Sequence, residues 1–255
     1  MLAYDTAVYI ARSIGPREAA TAGERRALSY AEGRFRAARL RTGRTRFRVP
    51  GHGTSGDAIG VYDAPGSCLV IYMAHADGVN GPGANDNASG LGVLLAVADR
   101  LKAIKPACDV WLVATGAEER PVTGAPDHLG SSSLLHRVRG LRRTHDLRLA
   151  LPLDTLGPQR RFWLRSPLAS PGPGERAVLR AARASNVTVE WFRDSGTGNS
   201  DHREFALAGL PAAVLEGWTG FDPCEHHPCD TWRRLKPGFL RAAQRVAERV
   251  LRDER

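Results

Sequence analysis

Short apolar runs alternate with amphipathic stretches along most of this chain. In the runs at 68–74, 108–114, 147–153 and 210–215, hydrophobic residues occupy almost every position. Such runs are typical of strands that are covered on both faces, as in the centre of a parallel sheet. The pattern therefore predicts an α/β fold in which these four segments are the central strands.

The remaining periodicity predicts the outer elements. Helical spacing of apolar residues predicts helices at 1–14, 21–40, 87–104, 130–141, 174–185 and 237–252, and a short helix opening at 200–202. Alternating or β-branched stretches predict shorter strands at 46–49, 58–62, 160–165 and 187–192. Loops are expected at 120–127 and 221–232. Because no repeat or linker interrupts the chain, one domain is predicted over residues 1–255.

Composition narrows the class of protein. No apolar run approaches the roughly 18 to 20 residues that span a bilayer, so no membrane association is expected. The first residues lack a basic region followed by an uninterrupted apolar core, so no signal peptide is predicted in the chain as given. The net charge of +9 comes from arginines that are spread along the chain. Their densest cluster, 34–48, is interpreted as a solvated surface, and no nucleic-acid partner is expected.

The four cysteines fall into two kinds of context. Cys224 and Cys229 flank a His-His pair, and this short loop is compatible with a disulfide, half of a zinc site or two free thiols. The disulfide is favoured, because a second cysteine pair for a structural zinc site is missing. Cys68 and Cys108 lie in separate apolar runs, where each is expected to be a buried free thiol.

Acidic and histidine side chains follow three predicted central strands at the point where each strand ends. His75 and Asp77 follow the first, Glu118 and Glu119 the second, and Asp154 the third. Ligands of open α/β sheets gather at the carboxyl ends of strands, so these side chains are expected to lie close together. Two adjacent carboxylates are costly to bury without compensation, and a positive charge is therefore expected beside them.

Further donors come from two loops. Asp86 lies at the start of a helical pattern, and His226 and His227 lie in the late loop. Taken alone, Asp86 is equally compatible with a helix N-cap, and His75 with an ordinary buried histidine. Together, several carboxylates with two imidazoles, one carboxylate being free to bridge, are the complement of a two-metal hydrolytic site. Mixed nitrogen and oxygen ligands suit zinc.

The order and spacing of seven motifs resemble one enzyme family. The motifs are HAD, GANDNASG, ATGAEE, LPLDTLG, SDHREF, AGLPA and CEHHPCDT. They are similar to those of the zinc-dependent aminopeptidases of the two-zinc exopeptidase superfamily, and most similar to the small secreted bacterial enzymes. The resemblance covers nearly the whole chain. It implies a three-layer αβα sandwich around a mixed, mostly parallel sheet, and a peptide or aminoacyl substrate that is trimmed from its amino end.

The same resemblance implies a role for each candidate residue. His75 and Asp154 match the ligands of one zinc ion, and Glu119 and His226 those of the other. Asp86 matches the bridging carboxylate, Glu118 the general base, and Asp77 the carboxylate behind His75. His226 is preferred to His227 because the family ligand stands four residues before the Asp-Thr pair, here Asp230-Thr231. His202 is expected to serve structure or substrate positioning.

Two departures from the family pattern bear on activity. Glu225 stands where these aminopeptidases usually have a tyrosine that donates to the developing oxyanion, and an ionised carboxylate cannot donate. A Pro-rich stretch also separates Glu119 from Gly130-Ser131, which follow closely in the family. These departures favour, as the alternative, a related amidohydrolase or carboxypeptidase with another amide substrate. A non-catalytic binding protein of the same fold is the third possibility.

The resemblance also bears on the protein's surroundings. A Cys224–Cys229 disulfide matches the secreted bacterial members and favours an extracellular location. The chain is expected to be a monomer that holds two zinc ions.

Overall fold

A computed structural model describes residues 2–158, 161–194, 199–217 and 222–254. The strands are β1 Arg41–Arg44, β2 Phe47–Val49, β3 Gly53–Ser55, β4 Ala58–Tyr62, β5 Leu69–His75, β6 Asp109–Thr115, β7 Leu147–Asp154, β8 Phe162–Ser166, β9 Val189–Arg193 and β10 Val214–Gly217. Eight of them form one sheet in the order β1-β4-β6-β5-β7-β10-β8-β9, and β2 pairs with β3. The central strands β6, β5, β7 and β10 are mutually parallel. The outer pairs β1/β4, β4/β6 and β10/β8 are antiparallel, so the sheet is mixed as predicted.

Helices cover both faces of this sheet. They are α1 Ala3–Tyr9, which continues into a wider turn at Ile10–Ile14, α2 Ala22–Ala37, α3 Gly90–Ala98, α4 Leu101–Ile104, α5 Arg120–Thr123, α6 Leu129–Gly140, α7 Pro173–Ala184, α8 His202–Leu207 and α9 Pro237–Asp253. Short helical turns also lie at Ala84–Ser89 and Trp232–Arg234. None of the described helices is long and apolar enough to cross a membrane.

Strand β5 shows how the three layers are built. Its residues are all buried, and alternate side chains face opposite sides of the sheet. Leu69, Ile71 and Met73 belong to the core beneath α6 and α8. Val70 and Tyr72 belong to the larger core beneath α1, α2, α3, α7 and α9. The continuous apolar run therefore buries both faces, and the predicted αβα sandwich is confirmed.

Several helices begin or end at residues other than those predicted from the sequence. The helix predicted at 21–40 ends at Ala37, because Arg39 is left-handed (φ 59°) and the polar segment Arg41–Arg44 pairs with β4 as an edge strand. The helix predicted at 87–104 begins only at Gly90. A side chain at Gly90 would meet β7, because an added Cβ would lie 2.0 Å from the Leu153 carbonyl oxygen.

The prediction that Cys68 and Cys108 are free thiols is wrong, because they form a disulfide with a Cα–Cα distance of 4.6 Å. The two strands that follow these cysteines pair in parallel, with Leu69 opposite Asp109. Cys68 and Cys108, which immediately precede that pair, are therefore also opposite each other. The disulfide predicted between Cys224 and Cys229 is present.

Candidate active site

The carboxyl ends of three parallel strands meet at one edge of the sheet. His75 is the last residue of β5, Asp154 is the last residue of β7, and Glu118 and Glu119 follow the end of β6. All four side chains are buried. The structure thus brings together the side chains that the sequence places at separate strand ends.

Asp86 lies between two sets of donor atoms. Its Oδ1 is 3.0 Å from His75 Nε2, and Asp154 Oδ1 lies 3.4 Å from the same nitrogen. Its Oδ2 is 3.1 Å from His226 Nε2, which also lies 3.0 Å from Glu119 Oε2. The two carboxylate oxygens of Asp86 therefore face one donor set each. A third group of donors, His75 with Glu118 and Glu119, overlaps them.

The donors fit a divalent metal centre. Glu119 Oε1 and Asp154 Oδ1 are buried and have no hydrogen-bond partner among the described residues. Burial raises the pKa of Glu119 well above its usual value, and the charge of Asp86 raises it further. Carboxylates crowded in this way need a cation, and imidazole nitrogens with carboxylate oxygens are donors that zinc accepts.

Buried carboxylates hold the turn that carries Glu118 and Glu119. Asp77 Oδ2 accepts hydrogen bonds from the backbone N–H groups of Glu118 at 2.9 Å and Glu119 at 3.1 Å. Its other oxygen, Oδ1, lies 3.6 Å from His75 Nδ1, on the side that the resemblance implies. Asp77 thus contacts both His75 and the backbone of the glutamate pair.

Two more carboxylates hold the preceding N–H groups of this turn. Glu24 Oε1 accepts from the N–H of Ala117 at 2.9 Å, and Asp57 Oδ1 accepts from that of Gly116 at 3.2 Å. Ala117 is left-handed, with φ at 52°, so the chain turns sharply here. Sequence reasoning missed Glu24 and Asp57, because they lie in α2 and just before β4, far from the turn in sequence.

A buried positive charge, Arg17, lies near the carboxylates, and sequence reasoning did not identify it. Its side chain is completely buried and donates to the carbonyl oxygens of Pro82 and Gly83. Burial lowers the pKa of Arg17, while the charges of Asp86 and Asp230 oppose that shift. A buried guanidinium thus supports the glycine-rich turn that presents Asp86.

The late loop supplies His226 from the opposite side. The imidazole of His226 reaches the carboxylates, whereas His227 is exposed, with Nδ1 2.6 Å from the Glu225 carbonyl oxygen. Asp230 accepts hydrogen bonds from the N–H groups of Asn85 and Asp86, which docks the loop on the turn before α3. The geometry therefore brings His226, rather than His227, to the donor cluster.

The donors lie in a cleft of about 430 Å³. Glu225 lines it beside His226. Burial raises the pKa of Glu225, and the nearby charge of Asp86 adds to this. His202 lies outside the cluster, with Nε2 2.7 Å from Asp194. His128, which the sequence interpretation passed over, is buried against Glu118.

Known proteins share the sequence pattern and the fold of this chain. The model of peptidase family M28 matches residues 59–251. The alkaline phosphatase isozyme conversion protein of Escherichia coli K12 is 27% identical over 189 residues, which cover 64% of this chain and 53% of that protein. The chain thus spans about half the length of this curated relative.

Solved structures share the fold at low identity. BSAP, a zinc aminopeptidase from Bacillus subtilis, has a TM-score of 0.82 at 18% identity, over 97% of this chain and 93% of that one. A glutaminyl cyclase from Bacteroides thetaiotaomicron has a TM-score of 0.83 at 20% identity, over 99% and 97%. These similarities support the fold alone, whereas the family match covers most of the sequence. The chain belongs to peptidase family M28.

Proposed function

We propose that this protein is a two-zinc aminopeptidase that removes residues from the amino end of peptides. The observation that carries the proposal is the position of Asp86, which directs one carboxylate oxygen at each of two mixed donor sets. Membership of a peptidase family and the similarity in fold to zinc aminopeptidases support it.

In this proposal His75 and Asp154 would hold one zinc ion, Glu119 and His226 would hold the other, and Asp86 would contribute to both sites. Zinc at such a site acts as a Lewis acid on the scissile carbonyl and the attacking water. The protein holds these five side chains close together in the absence of metal. Burial at the sheet edge, Arg17 and Asp77 maintain that arrangement.

Glu118 is the residue proposed to move the proton. Its carboxyl lies within the donor cluster, and its backbone is anchored by Asp77. Burial raises the pKa of Glu118 to about 7, against the opposing charge of His75. A carboxylate with a pKa near neutrality can take a proton from water and return it to the leaving amine.

The alternative functions differ in the substrates that they would accept. The same donors would support an amidohydrolase or a carboxypeptidase, and the absence of a tyrosine at position 225 favours testing these alternatives. The glutaminyl cyclase among the structural neighbours adds amino-terminal glutamine cyclisation to the panel. Secretion is also proposed, because two disulfides are typical of proteins from oxidising compartments.

The decisive experiment combines a zinc count with a substrate panel. We expect two zinc ions per chain by elemental analysis, and zinc-dependent release of arylamine from free aminoacyl-arylamides but not from N-acylated ones. Cleavage of only the acylated compounds would favour an amidohydrolase, and cyclisation of a glutaminyl peptide a cyclase. A count that stays at one or below, with His75→Ala indifferent, would overturn the two-metal site.

A further inference from the structure

His128 lies beside the proposed base and lines the same cleft, but it belongs to none of the donor sets described above. Its Nε2 is 3.1 Å from Glu118 Oε1, an ion-pair contact whose angles do not meet those of a hydrogen bond, and only 5% of its side chain is exposed. No other described imidazole is placed this close to Glu118. His128 therefore contacts the Glu118 carboxylate without being one of the proposed zinc donors.

The imidazole is itself held from behind. Asp127 Oδ1 lies 3.5 Å from His128 Nδ1, and the same oxygen accepts a hydrogen bond from Arg203 Nη1 at 2.8 Å. Arg203 lies in α8, whereas Asp127 and His128 end the Pro-rich segment after Glu119. Arg203 Nη1 also lies 3.4 Å from His128 Nδ1, so Arg203 and Asp127 both contact the imidazole whose Nε2 faces Glu118.

The backbone at this point is already anchored without the imidazole. The N–H of His128 donates to the Glu118 carbonyl oxygen at 3.2 Å, and the N–H of Leu129 donates to that of Ala117 at 3.0 Å. These two bonds join the start of α6 to the turn that carries Glu118. The side chain is therefore not needed to close the segment, and its contact with the carboxylate calls for a separate explanation.

We propose that His128 is a positioning residue that fixes the Glu118 carboxylate by engaging Oε1, so that Oε2 is the oxygen left for proton transfer. The proposal rests on the proposed function, in which Glu118 is the base. It also gives the Pro-rich insertion a role, because the insertion ends by delivering Asp127 and His128 to the cleft. The charges around the imidazole agree with this contact. Burial lowers the pKa of His128, but the carboxylates of Glu118, Asp201 and Asp127 outweigh that effect and raise it to about 9.

Two substitutions of His128 distinguish the contribution of its side chain from that of its backbone. His128 is left-handed, with φ at 53°, a conformation that asparagine tolerates well. His128→Asn keeps the backbone but is too short to reach Glu118, whereas His128→Gln retains a donor at about the position of Nε2. His136→Gln is the matched control, because His136 is exposed on α6, the helix that begins directly after His128.

The zinc-loaded variants are assayed on an aminoacyl-arylamide. His128→Asn should lower kcat by about 10- to 10²-fold with KM within about twofold, which is the cost of a misplaced catalytic group. His128→Gln should recover part of the loss, and His136→Gln should change nothing. In a Glu118→Gln background the cost of His128→Asn should disappear, because residues that act through one another are not additive.

Several results would overturn the proposal. An unchanged kcat in His128→Asn, an effect confined to KM or zinc content, or the same loss in both backgrounds would each do so. If Glu118→Gln itself leaves the rate intact, the proposed base is wrong and the proposed function fails with it. If Glu118→Gln is deleterious and His128→Asn is silent, only the role of His128 fails.

A measurement independent of activity covers variants that do not fold. In the zinc-loaded protein, the imidazole ¹⁵N resonances of His128 should shift on Glu118→Gln, while those of His136 stay in place. Unshifted His128 resonances would show that the two side chains are not in contact and would overturn the proposal.

Discussion

The two sides of the cleft are built in different ways. The strand-end side, comprising His75, Asp77, Glu118 and Glu119, is buried in the edge of the sheet. The loop side, comprising Glu225 and His226, belongs to a segment with few regular elements. The exposed fraction of the His75 side chain is 2%, against 31% for His226. Each side nevertheless places a histidine nitrogen close to the same carboxylate, that of Asp86.

The supports differ accordingly. Backbone N–H groups of the strand-end side are fixed by Glu24, Asp57 and Asp77, which are themselves buried. The loop side is held by the Cys224–Cys229 disulfide and by hydrogen bonds to Asp230. The fold itself therefore maintains the strand-end side, whereas local crosslinks maintain the loop side.

The largest effect should come from the strand-end side. Glu118→Gln should lower turnover by about 10²- to 10⁴-fold while both zinc ions remain bound, because it removes proton transfer without removing a ligand. Glu119→Gln is the matched control, in which zinc and activity should be lost together. Paired zinc counts and arylamide kinetics measure both. A Glu118→Gln enzyme with full activity would contradict the assignment.

On the loop side a substitution should improve the enzyme. Glu225→Tyr should raise turnover on aminoacyl-arylamides, up to about the 10²- to 10³-fold that one oxyanion donor contributes. Glu225→Gln supplies an N–H donor of another shape, so a smaller gain is expected, and His227→Ala should be neutral because His227 is exposed. If turnover stays level or falls with zinc intact, Glu225 serves another purpose, and binding of a substrate's cationic group should be tested first.

Removal of the two disulfides should affect the unfolding free energy and the zinc affinity to different extents. Cys68 and Cys108 are 40 residues apart, so replacing both by serine should cost about 4 kcal/mol of unfolding free energy. Cys224 and Cys229 are 5 residues apart, and the same change there should cost only about 2 kcal/mol. Zinc affinity should nevertheless fall more in the second variant, because that disulfide holds the loop of His226.

Denaturant titrations and zinc competition with a chelator measure these two quantities. Equal zinc affinity in both disulfide variants would mean that the loop side does not depend on its crosslink. Mass spectrometry of a non-reduced digest should show both linked peptides, and free thiols at either pair would contradict the structure.

The smallest effect concerns pH and the strand-end side. Burial raises the pKa of Glu24 to about 7 from its usual value of 4.5, and the charge of Asp77 adds to this. The folded state therefore binds this proton more tightly than the unfolded state, so its contribution to stability is complete below pH 4.5 and is lost as the pH rises through about 7. Glu24→Gln should flatten the decline over this range.

Unfolding free energies of the wild-type protein and the variant across that range provide the measurement. A constant difference between them would mean that Glu24 is ionised throughout. Glu32→Gln is the control, because Glu32 lies on the same helix, α2, in surface ion pairs with Arg36 and Arg44.

The central strands and the principal donors were predictable from sequence. An apolar run such as 69–75 can only be buried on both faces, and a polar residue at its end can only emerge at the sheet edge. His75, Glu119 and Asp154 follow such runs directly, so their convergence follows from the topology. The family pattern then distinguished His226 from His227, which local spacing alone does not separate.

The supports of the site were decided by the tertiary structure. Glu24 lies 93 residues from Ala117, and Arg17 lies 66 residues from Gly83. Nothing in the local sequence of either residue indicates its partner, because a buried charge is stabilised only by groups that folding brings to it. The Cys68–Cys108 disulfide depends in the same way on the register of two strands, and His128 on where an irregular segment ends. Periodicity reports which face of an element is buried, whereas contacts between distant elements exist only once those elements have packed.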